Sequence, residues 1–177
     1  LTNTPDGANE SRKLVISKSA AFGLAEDLTY TFNVKLNNLP EGTAYALNLN
    51  GKLIPIYNNE VNVTLKVGEF AEIAGLPVGF GYEVTELAGN YHAYKSTTDE
   101  DETITVNFVN SALVDVSVEK LWFDTDDSLV RPASITINLM DGDAVVASAE
   151  VSQDENGLWS HTFSNLPKYD ANGRAIN

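Results

Sequence analysis

The chain has 177 residues, 43% of them hydrophobic, with 25 acidic side chains against 11 lysines and arginines and a net charge of −14. That length accommodates one or two domains, and the acidity excludes a generic binder of nucleic acid or anionic membrane, since either would repel this surface. There is no cysteine, so disulfides, thiolate nucleophiles and thiolate metal sites are excluded together, and no apolar run approaches the roughly 20 residues of a membrane span.

In chain order, Leu1-Thr2-Asn3-Thr4 is similar to Phe108-Val109-Asn110-Ser111, and residues 5–11 are polar and turn-rich. Residues 1–11 therefore read as the end strand of a preceding domain plus a linker. The first residue is Leu and no secretory leader is visible, the pattern of a fragment or processed chain. Period-2 alternation follows, in Leu14-Ile16, Tyr30-Phe32-Val34-Leu36, Val61-Val63-Leu65, Tyr82-Val84, Ile104-Val106-Phe108, Val114-Val116-Val118 and Ile135-Ile137-Leu139. Each run predicts a strand with one apolar face. Residues 20–27 predict a short helical turn. Pro40-Glu41-Gly42, Asn50-Gly51, Gly89-Asn90, Asp141-Gly142, Asn156-Gly157 and Asn172-Gly173 mark turns. Many short strands with such punctuation indicate an all-β, sandwich-type chain.

A weak internal repeat divides it. Leu14 to Lys18 (LVISK) is similar to Val116 to Lys120 (VSVEK), Thr29 to Leu36 to Ala133 to Met140, and Ala74-Gly75-Leu76-Pro77 to Ser164-Asn165-Leu166-Pro167. The same order of elements roughly 100 residues apart predicts tandem related domains: a complete unit over 12–112, and the N-terminal part of a second over 113–177.

Strand parity carries the chemistry. Lys18 shares a face with Leu14 and Ile16, Glu86 with Tyr82 and Val84, and Asn110 with Ile104, Val106 and Phe108, because side chains two apart point the same way. A polar residue at the end of an apolar stripe is commonly at a solvated rim, where a lysine can reach water. Three of these types together suggest more. Burial lowers a lysine pKa and raises that of a carboxylic acid. A neutral amine is a nucleophile, and a protonated carboxyl can polarise a carboxamide. Lys, Glu and Asn in an apolar pocket can therefore form a Lys–Asn isopeptide bond with loss of ammonia, in a single turnover driven by proximity. Lys13 falls on the opposite face, with Val15 and Ser17, and Asn107 has the wrong parity.

These residues carry a resemblance. Ile16-Ser17-Lys18, Tyr82-Glu83-Val84-Thr85-Glu86 and Phe108-Val109-Asn110, with Gly75-Leu76-Pro77-Val78-Gly79, resemble the isopeptide-bonded domains of Gram-positive surface adhesins and pilins of the collagen-adhesin B-region (Cna-B) type. Val118 to Asp124, Arg131-Pro132, Trp159 and Thr162 to Asp170 resemble a common subtype more closely. The resemblance implies tandem immunoglobulin-like β-sandwich domains, a crosslink between Lys18 and Asn110, and Glu86 as the assisting acid. Lys120 becomes the candidate amine of the second unit, for which neither acid nor Asn lies before Asn177.

The function implied is a stalk segment of a cell-wall-anchored adhesin or pilus-like protein, stiffened by an autocatalytic crosslink. It is extracellular, not an enzyme in the turnover sense, and anchored through sequence outside this chain. Its partners would be neighbouring domains of the same polypeptide and, through the parent protein, a host matrix protein or glycan; no nucleic acid, membrane insertion, cofactor or metal is expected. The alternative is a ligand-binding module for such a host molecule, and a polymerising pilin subunit is a third reading. Among other candidates, Asp124, Asp126 and Asp127 lack an EF-hand pattern, Asp99 to Glu102 suits a hairpin tip, Asn62-Val63-Thr64 fits a glycosylation pattern but lies in a strand, and His92 and His161 are far apart. Trp122 and Trp159 suit core packing better than a sugar-binding face.

Overall fold

The computed structural model describes residues 10–123 and 131–176, and among them there is no helix. Nine strands build a sandwich: β1 (Ser11–Phe22), β2 (Tyr30–Asn37), β3 (Ala46–Leu49), β4 (Lys52–Pro55), β5 (Glu60–Leu65), β6 (Phe70–Pro77), β7 (Gly81–Glu86), β8 (His92–Glu100) and β9 (Thr103–Ser111). One sheet has the order β4-β3-β6-β1-β9-β8 and the other β5-β2-β7. The pairings are antiparallel except β1 with β9, which run parallel in the middle of the larger sheet.

The alternating apolar residues supply the core. Leu14, Ile16, Ile73, Val106 and Phe108 face Phe32, Val34, Val63, Leu65 and Val84 across the two sheets, all buried. Phe32 and Phe108 meet with ring centroids 4.8 Å apart. Each predicted strand in this region is present. The helical turn predicted at 20–27 is not: β1 runs on to Phe22, and the chain then leaves the sheet at Gly23 in a left-handed conformation (φ 69°). The pull of the parallel ladder with β9, which reaches Phe22 opposite Ser111, outweighs the local helix preference of the alanines.

Four more strands follow: β10 (Leu113–Glu119), β11 (Ile135–Asp141), β12 (Ala144–Val151) and β13 (Ser160–Pro167), pairing β10 with β13 and β11 with β12. The internal repeat has a counterpart in pairing register. Ser11 opposes Pro77 and Leu14 opposes Ile73, with an irregularity between; Leu113 opposes Pro167 and Val116 opposes Phe163, again with an irregularity between.

A single residue, Ala112, separates β9 from β10, and its surroundings are ordered. Its N–H donates to the Phe22 carbonyl and its carbonyl accepts from Lys168 N–H. Ser111, fully buried, accepts from the Tyr169 N–H at 2.8 Å, and the Tyr94 hydroxyl donates to the Tyr169 carbonyl at 2.9 Å. A Cβ on Gly23 would lie 2.7 Å from the Tyr169 ring, so this approach requires glycine there.

Candidate functional site

Lys18, Asn110 and Ser111 are the buried polar or charged residues among those described. Lys18 is the last inward residue of the Leu14-Ile16-Lys18 stripe, beside Phe108 of β9. A bulge then adds one residue to β1, so that Ala21 comes to lie beside Asn110. Lys18 Nζ donates to the carbonyl of Ala20, so the side chain leans along its strand toward the level of Asn110. Asn110 continues the inward stripe of β9, two residues beyond Phe108. Its Nδ2 donates to Glu86 Oε1 at 2.7 Å. Glu86 ends β7 in the opposite sheet, paired with Phe32, and so reaches the same pocket from across the core. The structure thus brings together the three residues selected by parity.

It excludes the near misses. Lys13 is half-exposed and forms an ion pair with Glu72 at 3.1 Å. Asn107 lies on the outward face of β9.

Burial sets the electrostatics. Desolvation lowers the pKa of Lys18 from 10.5 to about 8, against the opposing pull of Glu86. Desolvation likewise raises Glu86, opposed by the hydrogen bond from Asn110, the charge of Lys18 and the nearby Tyr91 hydroxyl. Both groups are therefore moved toward their neutral forms. Glu86 Oε2 and Asn110 Oδ1 are both buried without a partner. A proton on Oε2 would give the pair a donor and an acceptor, closing a second acid–amide hydrogen bond beside the first.

Three further residues complete the pocket. Tyr30, buried on β2, holds its ring centroid 4.3 Å from Lys18 Nζ. Tyr91 packs edge-on against Tyr30 at 5.3 Å and donates to the Leu87 carbonyl. Lys95, on β8 beside Phe108, donates to the Val84 carbonyl at 2.8 Å and so ties the two sheets together at their edge. Tyr30 was legible as a polar-tipped member of the Phe32-Val34 stripe. Tyr91 and Lys95 were not, since one lies in a loop and the other on a mostly exposed strand.

The remaining candidates are separate. Lys120 is exposed beyond β10, its Nζ 4.8 Å from the Trp122 ring centroid. Trp122 and Trp159 pack edge-on at 5.4 Å, and Trp159 is buried, as expected for packing. Asn62-Val63-Thr64 lies in β5, and His92 and His161 lie in β8 and β13; no cluster of His, Asp or Glu among the described residues could hold a metal. Asp124, Asp126 and Asp127 fall outside the described residues. No helix among the described residues is long and apolar enough to cross a membrane.

Comparison with known proteins covers both parts of the chain. Residues 12–115 match the domain of unknown function DUF7601, and residues 116–177 match the Cna protein B-type domain. A collagen adhesin of Staphylococcus aureus is 30% identical over 89 residues, which is 50% of this chain and 7% of that protein. The major pilin T3.2 of Streptococcus pyogenes superposes with a TM-score of 0.51 at 17% identity, over 58% of this chain and 45% of the pilin. A pilus-presented adhesin gives a TM-score of 0.49 at 18% identity, over 60% of this chain and 28% of that one. The chain therefore spans less than half of each of these relatives. The pilin likeness supports the fold, an immunoglobulin-like β-sandwich.

Proposed function

The chain belongs to the DUF7601 family and carries a Cna-B-type domain of the kind shared by surface adhesins and pilins, and from that premise we propose that it is a stalk segment of a cell-wall-anchored adhesin or pilus-like protein, stiffened by an isopeptide bond between Lys18 and Asn110. The observation that carries this reading is the fully buried Lys18 facing a Glu86–Asn110 hydrogen-bonded pair. Residues 12–112 form one complete unit of the stalk, and residues 113–177 belong to a second.

The bond forms without a cofactor. The neutral Lys18 Nζ attacks Asn110 Cγ, with Glu86 as the acid that polarises the carboxamide. Nζ gives up a proton, the bond from Cγ to Nδ2 breaks, and Nδ2 leaves as ammonia after taking up a proton through Glu86. With a pKa of about 8, roughly a tenth of Lys18 is neutral at pH 7. Proximity within a rigid core supplies the effective concentration.

The mechanical consequence follows from the topology. β1 and β9 are parallel neighbours, so pulling on the start of β1 and the end of β9 shears their ladder. A covalent link from Lys18 to Asn110 would carry the force past residues 19–109. It would also close a loop of almost the whole sandwich, worth about 4–5 kcal/mol on the chain-entropy estimate used for disulfides. Unlike a disulfide, it needs no oxidant.

Intact mass of the denatured chain, beside Lys18→Ala and Glu86→Gln variants, tests this. The parent is expected to be lighter than its sequence by one ammonia, Lys18→Ala to match its own sequence mass, and Glu86→Gln to match its own wholly or largely. A parent at full sequence mass overturns the crosslink.

A further inference from the structure

Tyr30 does more than fill the core. Its ring centroid lies 4.3 Å from Lys18 Nζ, within contact of the atom that would react. The residue is almost fully buried, so water does not screen that contact. Tyr91 braces the ring from the side at 5.3 Å, and β2 fixes its backbone opposite Leu65. Its hydroxyl is buried without a partner, so the ring is not held there by a hydrogen bond of its own.

We propose that the Tyr30 ring is a catalytic group of the Lys18–Asn110 condensation, holding Nζ against the carboxamide and stabilising the positive charge that develops on it during attack. This rests on the crosslinking reading above. When the neutral amine adds to Asn110 Cγ, the new bond makes Nζ a four-bonded, positively charged nitrogen until its proton moves to the departing Nδ2. A π-face in a dry pocket attracts that charge, an interaction worth most where the cation is desolvated. The balance of the reaction is unchanged: one C–N bond forms, one breaks, and ammonia leaves.

The ring sits among the other groups that govern Lys18. Glu86 faces it from β7, Tyr91 from the loop after β7, Asn110 from β9, and Lys95 stands at the sandwich edge on β8. Glu86 and the Tyr30 ring both favour the charged amine. Removing the ring should therefore lower the pH at which Lys18 becomes neutral while also slowing the reaction of the neutral form. A purely structural role predicts neither.

The test uses the full chain recovered unfolded, before the crosslink can form. It is refolded across a pH series, and ammonia loss is followed by mass against time while folding is followed separately by circular dichroism. Tyr30→Phe keeps the ring and should react within about threefold of the parent. Tyr30→Leu should fall roughly tenfold on the alkaline plateau, with the midpoint of the rising limb displaced to lower pH. Progressively fluorinated phenylalanine at position 30 weakens the π-face at nearly constant shape, and decides the matter should Tyr30→Leu not fold; the plateau rate should fall stepwise with fluorination. Rates and midpoints unmoved by fluorination in a crosslinking protein overturn this role alone, as does Tyr30→Phe reacting as slowly as Tyr30→Leu, which would assign the effect to the hydroxyl. A parent that never loses ammonia overturns the crosslinking reading with it.

Discussion

At the scale of single residues, Lys18 and Asn110 are in conflict with their surroundings unless they react. A lysine whose pKa is held near 8 by burial costs folding energy wherever the unfolded chain would carry its proton. An Asn110→Ala variant leaves the amine unreacted and exposes this cost. Between about 8 and 10.5 the unfolded chain binds more protons at this site, so stability should rise with pH over that window, by roughly 3 kcal/mol at most. The rise should be cut off above pH 10, because burial holds Tyr91 up to about 12 and Tyr30 above its usual value, and both phenols then favour the folded state less as pH climbs. Urea midpoints between pH 7 and 10 read the effect. On the proposed crosslink, Lys18 of the parent would be an amide, and the parent should lack the rise. A variant without the rise would show that Lys18 is not a desolvated buried amine, and a parent that shares the rise would show that its Lys18 has not reacted.

At the scale of elements, the β8–β9 hairpin turns through Asp101 and Glu102, both with positive φ (48° and 63°). That is the twist-matched two-residue turn that ordinarily selects Asn-Gly. The acidic pair is strained there, and Glu100 beside it adds like charge, whereas Asp99 is ion-paired with Arg12. Replacing the pair by Asn-Gly should stabilise the fold by about 1 kcal/mol, since a side chain in the left-handed region costs that order of energy. A higher melting temperature in a Lys18→Ala background is the expected reading; no change or a decrease would contradict it. The strands found by alternation, such as β2, β5 and β9, are those with one face in the core. β8 gave no apolar alternation, because its residues are mostly exposed. The short β3–β4 edge hairpin was marked by Asn50-Gly51 alone.

At the scale of the whole molecule, the ordered contacts around Ala112 continue the proposed force path. Asn110 lies two residues before it, and β10 begins one residue after. The buried Ser111 is central to these contacts, since its Oγ donates to the Ala112 carbonyl and accepts from Tyr169 N–H. Ser111→Ala would leave that N–H without its acceptor, a cost of about 1–3 kcal/mol. Hydrogen exchange at the Tyr169 amide should then accelerate at least severalfold while amides in β2 and β5 keep their protection. A Tyr169 amide that already exchanges freely in the parent would show the junction to be loose. The proposed stalk would need such joints stiff, because a flexible linker would absorb extension that crosslinked strands would resist.

The order of apolar and polar residues was enough to determine the all-β class, most strand positions and the inward faces, because a strand's period of two ties side-chain direction to sequence number. Parity and residue type together therefore picked out Lys18, Glu86 and Asn110, the family resemblance implied their roles, and parity set aside Lys13 and Asn107. What parity could not reach is distance between strands far apart in the chain. The parallel pairing of β1 with β9, the bulge that sets Ala21 beside Asn110, the reach of Glu86 across the core and the placing of Tyr30 against Lys18 Nζ depend on how two sheets stack. The packing of Tyr169 over Gly23 and Ser111 depends on residues separated by most of the chain. Those arrangements are settled by mutual burial, which has no signature in any local stretch of sequence.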